Sequence, residues 1–389
     1  MKKTKWCFLL GYVAYSTVYL CRFNLSTIAP ALQAMGMITA AQYGIISGGF
    51  LVVYSVGRLV NGYIGDKFPA KTIIAVGLLG VGICNILLGF CSSFLPMLVL
   101  WLLNGYAQAM LWGPLLDAVT RQYDEKKSKY IASLLITSVA AGSIAGIAMA
   151  IFSSTRWGIS AAFFLPGAVA ITVAAAIFGV FRPVQIRPRK TVQGLRLGVL
   201  MRGRDFKVMA LHGVIKDNIN IWVPIYLSCK FLTDVKAVSY YVFAIPVMGL
   251  VGRLMHPVLL RLFPGRENTV PMIAFSACAV SAVPLLFGTM PILADAVFLC
   301  ILAVAVSVIN TSLLSVYPMR FADLGSVSTV SGVLDFATYL GAGLSSAVFG
   351  LFVESNGYTV IFLTWLVVSF FGIYILNHMK GKDRYEIIN

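Results

Sequence analysis

Four cations stand where a charge is hardest to place. Arg22, Arg58, Lys216 and Arg253 each interrupt an apolar stretch of this 389-residue chain, a setting in which ionisable side chains are rare and functional. Tyr15, Tyr19 and Arg22 are spaced i−7, i−3 and i, so a helix puts them on one face. Tyr54 and Arg58 repeat the arrangement at i and i+4. His212, Lys216 and Asn220 form a polar stripe at i, i+4 and i+8, as do Asn104, Gln108 and Trp112. Against these cations stand two mid-stretch carboxylates. Asp217 points about 100° from Lys216 on a regular helix and is open to a cation elsewhere or to a proton. Asp335 has Ser331 and Tyr339 on its face. With both acids paired, about two positive charges remain, a surplus that a wet cavity or a bound anion relieves. Arginine presents a planar fork to carboxylate or phosphate oxygens and lysine a point charge. The chemistry on offer is recognition of an organic anion, best a phosphate-bearing one.

The elements that carry these residues are membrane helices. The chain is 59% hydrophobic and 11% charged, with a mean hydropathy of +0.88; soluble domains carry about 25% charged residues. Apolar runs predict about twelve spans, near 6–32, 41–64, 70–91, 94–120, 129–153, 157–181, 206–229, 236–262, 269–288, 291–317, 325–352 and 357–378. None shows the period-2 alternation of a transmembrane barrel. The net charge of +16 does not point to nucleic acid. Only Arg156, Lys230 and Lys236 fall on one side and four cations within spans; the remaining Lys and Arg lie on the other side. That bias places both termini in the cytoplasm of a multi-pass plasma or inner-membrane protein in contact with lipid. Lys2, Lys3 and Lys5 with Ala29-Pro30-Ala31 mimic a signal peptide, but the charge at Arg22 and the spans that follow favour a retained first helix. Seven cysteines and three histidines show no metal spacing, and no cofactor is called for.

The chain also repeats itself. Gly57-Arg58-Leu59 with Phe68-Pro69 returns, half a chain length later, as Gly252-Arg253-Leu254 with Phe263-Pro264. Arg22 and Lys216 are related by nearly the same offset. A basic segment near the midpoint separates an N-terminal six-helix half (1–181) from a C-terminal one (206–389), with 182–205 as a cytoplasmic linker. Two pseudo-symmetric six-helix halves describe the major facilitator architecture, an all-α membrane fold with its substrate site between the halves. Gly62-Tyr63-Ile64-Gly65-Asp66-Lys67 reads as a tight turn ending span 2, in which Gly62, Asp66 and Lys67 gate one access state. Its counterpart Pro257-Val258-Leu259-Leu260-Arg261 lacks the acid, and Pro257 is expected to kink or open its helix.

Tyr15…Tyr19..Arg22-Phe-Asn24, Tyr54…Arg58 with Gly62…Asp66-Lys67, Asn104-Gly105…Gln108…Trp112-Gly113-Pro114 and Lys216…Trp222-Val-Pro224-Ile-Tyr226 together resemble the organophosphate:phosphate antiporters of the major facilitator superfamily. The resemblance implies that Arg22 and Lys216 grip a phosphate from the two halves, helped by Tyr15, Tyr19, Tyr54 and Arg58. The sequence departs from that family's pattern in having Lys216 where its phosphate transporters carry arginine. It also has Thr137-Ser138-Val139 where the glycerol-3-phosphate transporter has a histidine.

The expected function is secondary transport of a small organic anion, a phosphorylated metabolite exchanged for inorganic phosphate by alternating access in a monomer. Gln108, Trp112, Asn220 and Asp335 complete the expected binding set. The alternative is proton-coupled symport of a carboxylate or sugar acid, with Asp335 carrying the proton. An enzyme would need a catalytic cluster at an interface, and no His/Asp/Ser grouping of that kind is present.

Overall fold

A computed structural model describes residues 2–123, 125–182, 197–231, 235–263, 268–318 and 327–379. These are almost wholly helical. In order they are α1 (Lys2–Ala34), α2 (Ala40–Lys67), α3 (Ala70–Leu88), α4 (Phe94–Ala109), α5 (Trp112–Thr120), α6 (Glu125–Trp157), α7 (Ala161–Val180) and α8 (Leu197–Arg202). There follow α9 (Arg204–Lys216), α10 (Asn218–Phe231), α11 (Val235–Leu262), α12 (Thr269–Phe287), α13 (Ile292–Asn310), a π-helical segment Thr311–Val316, α14 (Val327–Asn356) and α15 (Thr359–His378). Among the described residues, 10 helical stretches are long and apolar enough to cross a membrane. α1 falls outside that set, and its Tyr, Ser, Thr, Arg and Asn residues lower its hydropathy. The α9–α10 pair falls outside it because an interruption at Asp217 leaves segments of 13 and 14 residues. The first and seventh expected spans are therefore the two that carry Arg22 and Lys216.

Three helices depart from the single spans expected, two of them at prolines. α4 stops at Ala109 and α5 starts at Trp112, because Pro114 has no N–H for the carbonyl of Met110. α13 passes into its π-helical turn just before Pro318; the Leu314 carbonyl, which an α-helical residue 318 would engage, accepts the Ser331 hydroxyl of α14 at 3.3 Å. At Asp217 the amides do similar work: Asn218 Nδ2 donates to the Val214 carbonyl at 3.0 Å and Asn220 Nδ2 to that of Lys216 at 3.4 Å. Conversely, α2 stays helical through Lys67 where a turn was expected at Gly62–Lys67. It ends at Phe68, since a residue before proline is pushed out of the helical region. α11 likewise continues past Pro257.

The helices gather into two compact units. The first holds α1, α3–α7, α2 from Val56 onward and the first residues of α11; the second holds Ala40–Ser55 of α2, α8–α10, α11 from Tyr240 and α12–α15. In the first unit α1 packs on α6 and α3 on α7. In the second α9 packs on α14 and α12 on α15, the same pattern displaced by six spans. Both lead pairs depend on glycine. A Cβ at Gly142 of α6 would lie 2.3 Å from the Ser16 carbonyl oxygen of α1, and one at Gly213 of α9 1.9 Å from that of Thr338 in α14. Small residues let backbones approach where no hydrophobic force drives helices together in lipid. The opposite faces carry exposed apolar side chains at helical spacing, such as Leu95, Val99 and Leu103 on α4, as a helix facing acyl chains requires.

The second unit also fixes the N-terminal half of α2. Gly44 and Gly48 lie against Gly350 and Gly343 of α14. Tyr43 donates its hydroxyl to the Ile221 carbonyl at 3.0 Å, and Glu354 accepts the N–H of Ala41 at 3.0 Å, a carboxylate at a helix N-terminus.

Candidate anion-binding site

In the first unit α1 presents Tyr15, Tyr19 and Arg22 on one face, as their spacing requires. The Tyr15 and Tyr19 rings meet edge-on with centroids 5.4 Å apart, and the Arg22 guanidinium carbon sits 5.0 Å from the Tyr19 centroid, within cation–π range. Trp112, at the start of α5, approaches Tyr15 at 4.6 Å. Gln108 of α4 accepts the Nε–H of Arg22 at 2.9 Å. Gln108 and Asn104 are both fully buried, and each donates to the Cys21 carbonyl at 3.3 Å. The expected pocket residues Tyr15, Tyr19, Arg22, Gln108 and Trp112 thus come together. Thr137, where a histidine is missing from the resemblance, hydrogen-bonds the Tyr12 hydroxyl at 3.1 Å.

In the second unit the interruption at Asp217 decides the geometry. Asp217 does not point away to another helix as expected; its carboxylate pairs with its neighbour Lys216 at 3.2 Å. The same ammonium lies 4.5 Å from the ring centroid of Tyr339 on α14, whose ring meets Tyr54 edge-on at 4.7 Å. Asn220 caps the carbonyl of Lys216, one turn behind the charge. His212 leaves the expected stripe: it is fully buried and its Nε2 contacts the Val306 carbonyl of α13 at 3.0 Å. Asp335 is buried on α14, one turn from Tyr339.

The repeated triplets explain themselves by face. Gly57 permits contact with Ala109 of α4, and Gly252 with the Val304 carbonyl of α13. Leu59 and Leu254 are exposed, while Arg58 and Arg253 are half-buried. The backbone of α2 runs through Gly62, Asp66 and Lys67, whose side chains lie outside the described residues, as does Pro264.

Two ion pairs and one amide were missed from the sequence. Lys230, expected in an external loop, pairs with the fully buried Asp295 of α13, which also accepts the Tyr226 hydroxyl at 2.6 Å. Tyr226 in turn packs on Phe362 of α15 at 4.9 Å. Arg204, counted with the linker, is buried at the start of α9, bonds Asp205 at 2.9 Å and reaches the Met379 carbonyl at 3.4 Å. The linker's final residues are thus structured, while 183–196 lie outside the described residues. Asn85 of α3 is fully buried beside Asn104. A polar residue within four positions of a span's end was the available signal for Asp295 and Lys230; Asn85 gave none beyond its place in an apolar run.

The chain matches the Major Facilitator Superfamily over residues 11–346. It is 25% identical to the phosphoglycerate transporter protein of Salmonella typhimurium, over 90% of this chain and 82% of that protein. It is 27% identical to the glycerol-3-phosphate transporter of Haemophilus influenzae over 52% of this chain and 45% of the relative. The membrane sensor protein UhpC of Escherichia coli is 28% identical over 47% and 41%, so these two relatives are matched over less than half their length. The fold is similar to that of the nucleoside transporter NupG, with a TM-score of 0.74 at 16% identity, covering 94% of this chain and 97% of that one. A bacterial homologue of the human lysosomal transporter Spinster gives 0.72 at 15%, covering 96% and 94%. The expected resemblance to transporters of phosphorylated metabolites holds in these relatives. With its paired helical repeats and apolar helices, the protein is a multi-pass membrane transporter and not an enzyme: the chain belongs to the major facilitator superfamily.

Proposed function

We propose that the chain carries a small phosphorylated organic anion across the membrane in exchange for inorganic phosphate. The observation that carries this reading is Arg22. Its guanidinium is held by Gln108 and faced by Tyr19 in an apolar helical unit, a setting in which charged side chains are rare and functional. The phosphoglycerate and glycerol-3-phosphate transporters among its relatives support a phosphate group on the cargo. Arg22 and Lys216 are the cations assigned to anion binding, one in each unit; Tyr15, Tyr19, Arg58, Gln108 and Trp112 serve it in the unit of Arg22, and Tyr54 in that of Lys216. Asp217 holds the Lys216 ammonium when no cargo is bound and yields it to incoming phosphate oxygens. Carrying an anion reduces the positive charge of both polar faces, which favours reorientation of the loaded protein over the empty one and hence exchange. The unit that does this is a monomer.

The test is counterflow in proteoliposomes. Phosphate-loaded vesicles should accelerate uptake of labelled phosphate and of phosphoglycerate, and Arg22→Ala should abolish both. Wild-type exchange by Arg22→Ala would overturn the assignment. Uptake driven by a pH gradient without internal anion, and lost in Asp335→Asn, would select proton symport instead. Saturable binding without movement would make the protein a receptor.

A further inference from the structure

We infer that Asn85, remote from any expected ligand contact, is a positioning residue that sets the orientation of the Arg22 guanidinium through a buried relay of amides. This inference rests on the proposal that Arg22 holds the anion. The relay begins at a backbone defect. Pro166 in α7 has no N–H to give the carbonyl of Ala162, and Asn24 of α1 donates to that carbonyl at 3.1 Å. The second Nδ2 hydrogen of Asn24 goes to Asn85 Oδ1 at 2.8 Å. Asn85 Nδ2 donates to the Val81 carbonyl at 2.9 Å and to Asn104 Oδ1 at 3.4 Å. Asn104 Oδ1 also accepts from Gln108 Nε2 at 3.3 Å. Gln108 Oε1, at the far end, accepts from Arg22 Nε at 2.9 Å.

Both ends of this relay have fixed polarity. A carbonyl without its helical donor can only accept, and a guanidinium can only donate. Between them each amide has one permitted orientation. Turning Asn85 over would oppose its NH2 to that of Asn24 and its oxygen to the oxygens of Val81 and Asn104. All four amides are fully buried, so water cannot substitute for a lost partner, and an unmatched group there is costly. The Nε–H bond governs rotation of the guanidinium plane about its stem, and that plane aims the fork. The relay also ties α1, α3, α4 and α7 together at the level of Arg22, which makes Asn85 its hub on α3.

Two readouts on the full-length protein in lipid test the inference. The first needs no ligand: hydrogen exchange at Arg22 Nε–H, assigned by its absence in Arg22→Lys. Asn85→Leu should accelerate that exchange about tenfold, the scale of one lost buried hydrogen bond. The second is phosphate counterflow, where KM should rise about tenfold with the maximal rate within about twofold. Ser281→Ala, a buried hydroxyl loss in α12, serves as the destabilised control and should alter neither. If Asn85→Leu does not fold, Asn24→Ala removes the donor to Asn85 and should give both effects. Unchanged Arg22 Nε–H exchange in the variant overturns the inference whatever the cargo. An equal fall in maximal rate with KM unchanged would do the same, making Asn85 merely structural. Faster exchange in a protein whose wild type shows no phosphate counterflow upholds the positioning and refutes the transport reading alone.

Discussion

Substituting Gly213 by alanine probes the joint that aims Lys216. Gly213 lies one turn before Lys216 on α9, and its missing Cβ would sit 1.9 Å from the Thr338 carbonyl oxygen, next to Tyr339. Gly341 reciprocates from α14, where a Cβ would lie 2.1 Å from the Ala210 carbonyl oxygen. Ordinary contact begins at 3.4 Å, so one methyl group must push the helices apart by about 1.5 Å, and the blocking atoms are backbone with no rotamer to yield. Overpacking of this kind costs about 1–3 kcal/mol. The same opening lifts the ammonium from the Tyr339 ring, now at 4.5 Å, to the edge of useful cation–π range of about 6 Å. Gly213→Ala should therefore lower the unfolding midpoint in detergent and raise KM for phosphate counterflow. Gly179→Ala is the contrast: nothing lies within 4 Å of its Cβ position, and helix propensity alone makes it neutral or stabilising by up to about 1 kcal/mol. Equal unfolding midpoints for Gly213→Ala and wild type would refute the close approach of α9 and α14.

Other outcomes follow from the ion pairs. Asp295→Asn or Lys230→Met should each destabilise the second unit by about 3–5 kcal/mol, since each strands a buried partner, whereas Lys230→Met with Asp295→Leu recovers most of the loss; denaturant titration of the three proteins decides. Asp217→Asn removes the carboxylate that competes for the Lys216 ammonium, so KM for phosphate should fall in the counterflow assay, and a rise would refute competition. Lys216→Arg supplies a bidentate fork at the same place and should tighten phosphate binding roughly three- to tenfold, measured by equilibrium binding; Lys216→Met should abolish it.

Much of the molecule was legible because lipid enforces simple rules. Backbone groups in a bilayer must bond within their own segment, so apolar length alone placed helices at nearly every expected span. Helical periodicity likewise put Tyr15, Tyr19 and Arg22 on one face, because that grouping lies within a single helix. Where the chain broke its own regularity, the sequence misled. The interruption at Asp217 turned a residue expected to face away into the partner of Lys216. The continuation of α2 to Lys67 replaced an expected turn by helix, since Pro69 and not the glycines sets the end.

What remained was decided only by packing between helices. Asn85 and Asn24 stand 61 positions apart, Lys230 and Asp295 65, and no local pattern announces such partners. Nor does any glycine declare, from sequence, which carbonyl it lies against. The sequence determined which helices exist and which faces carry charge, because hydropathy and periodicity act within a segment. Tertiary structure decided how each charge is aimed, because a buried donor finds its acceptor only after the helices have met.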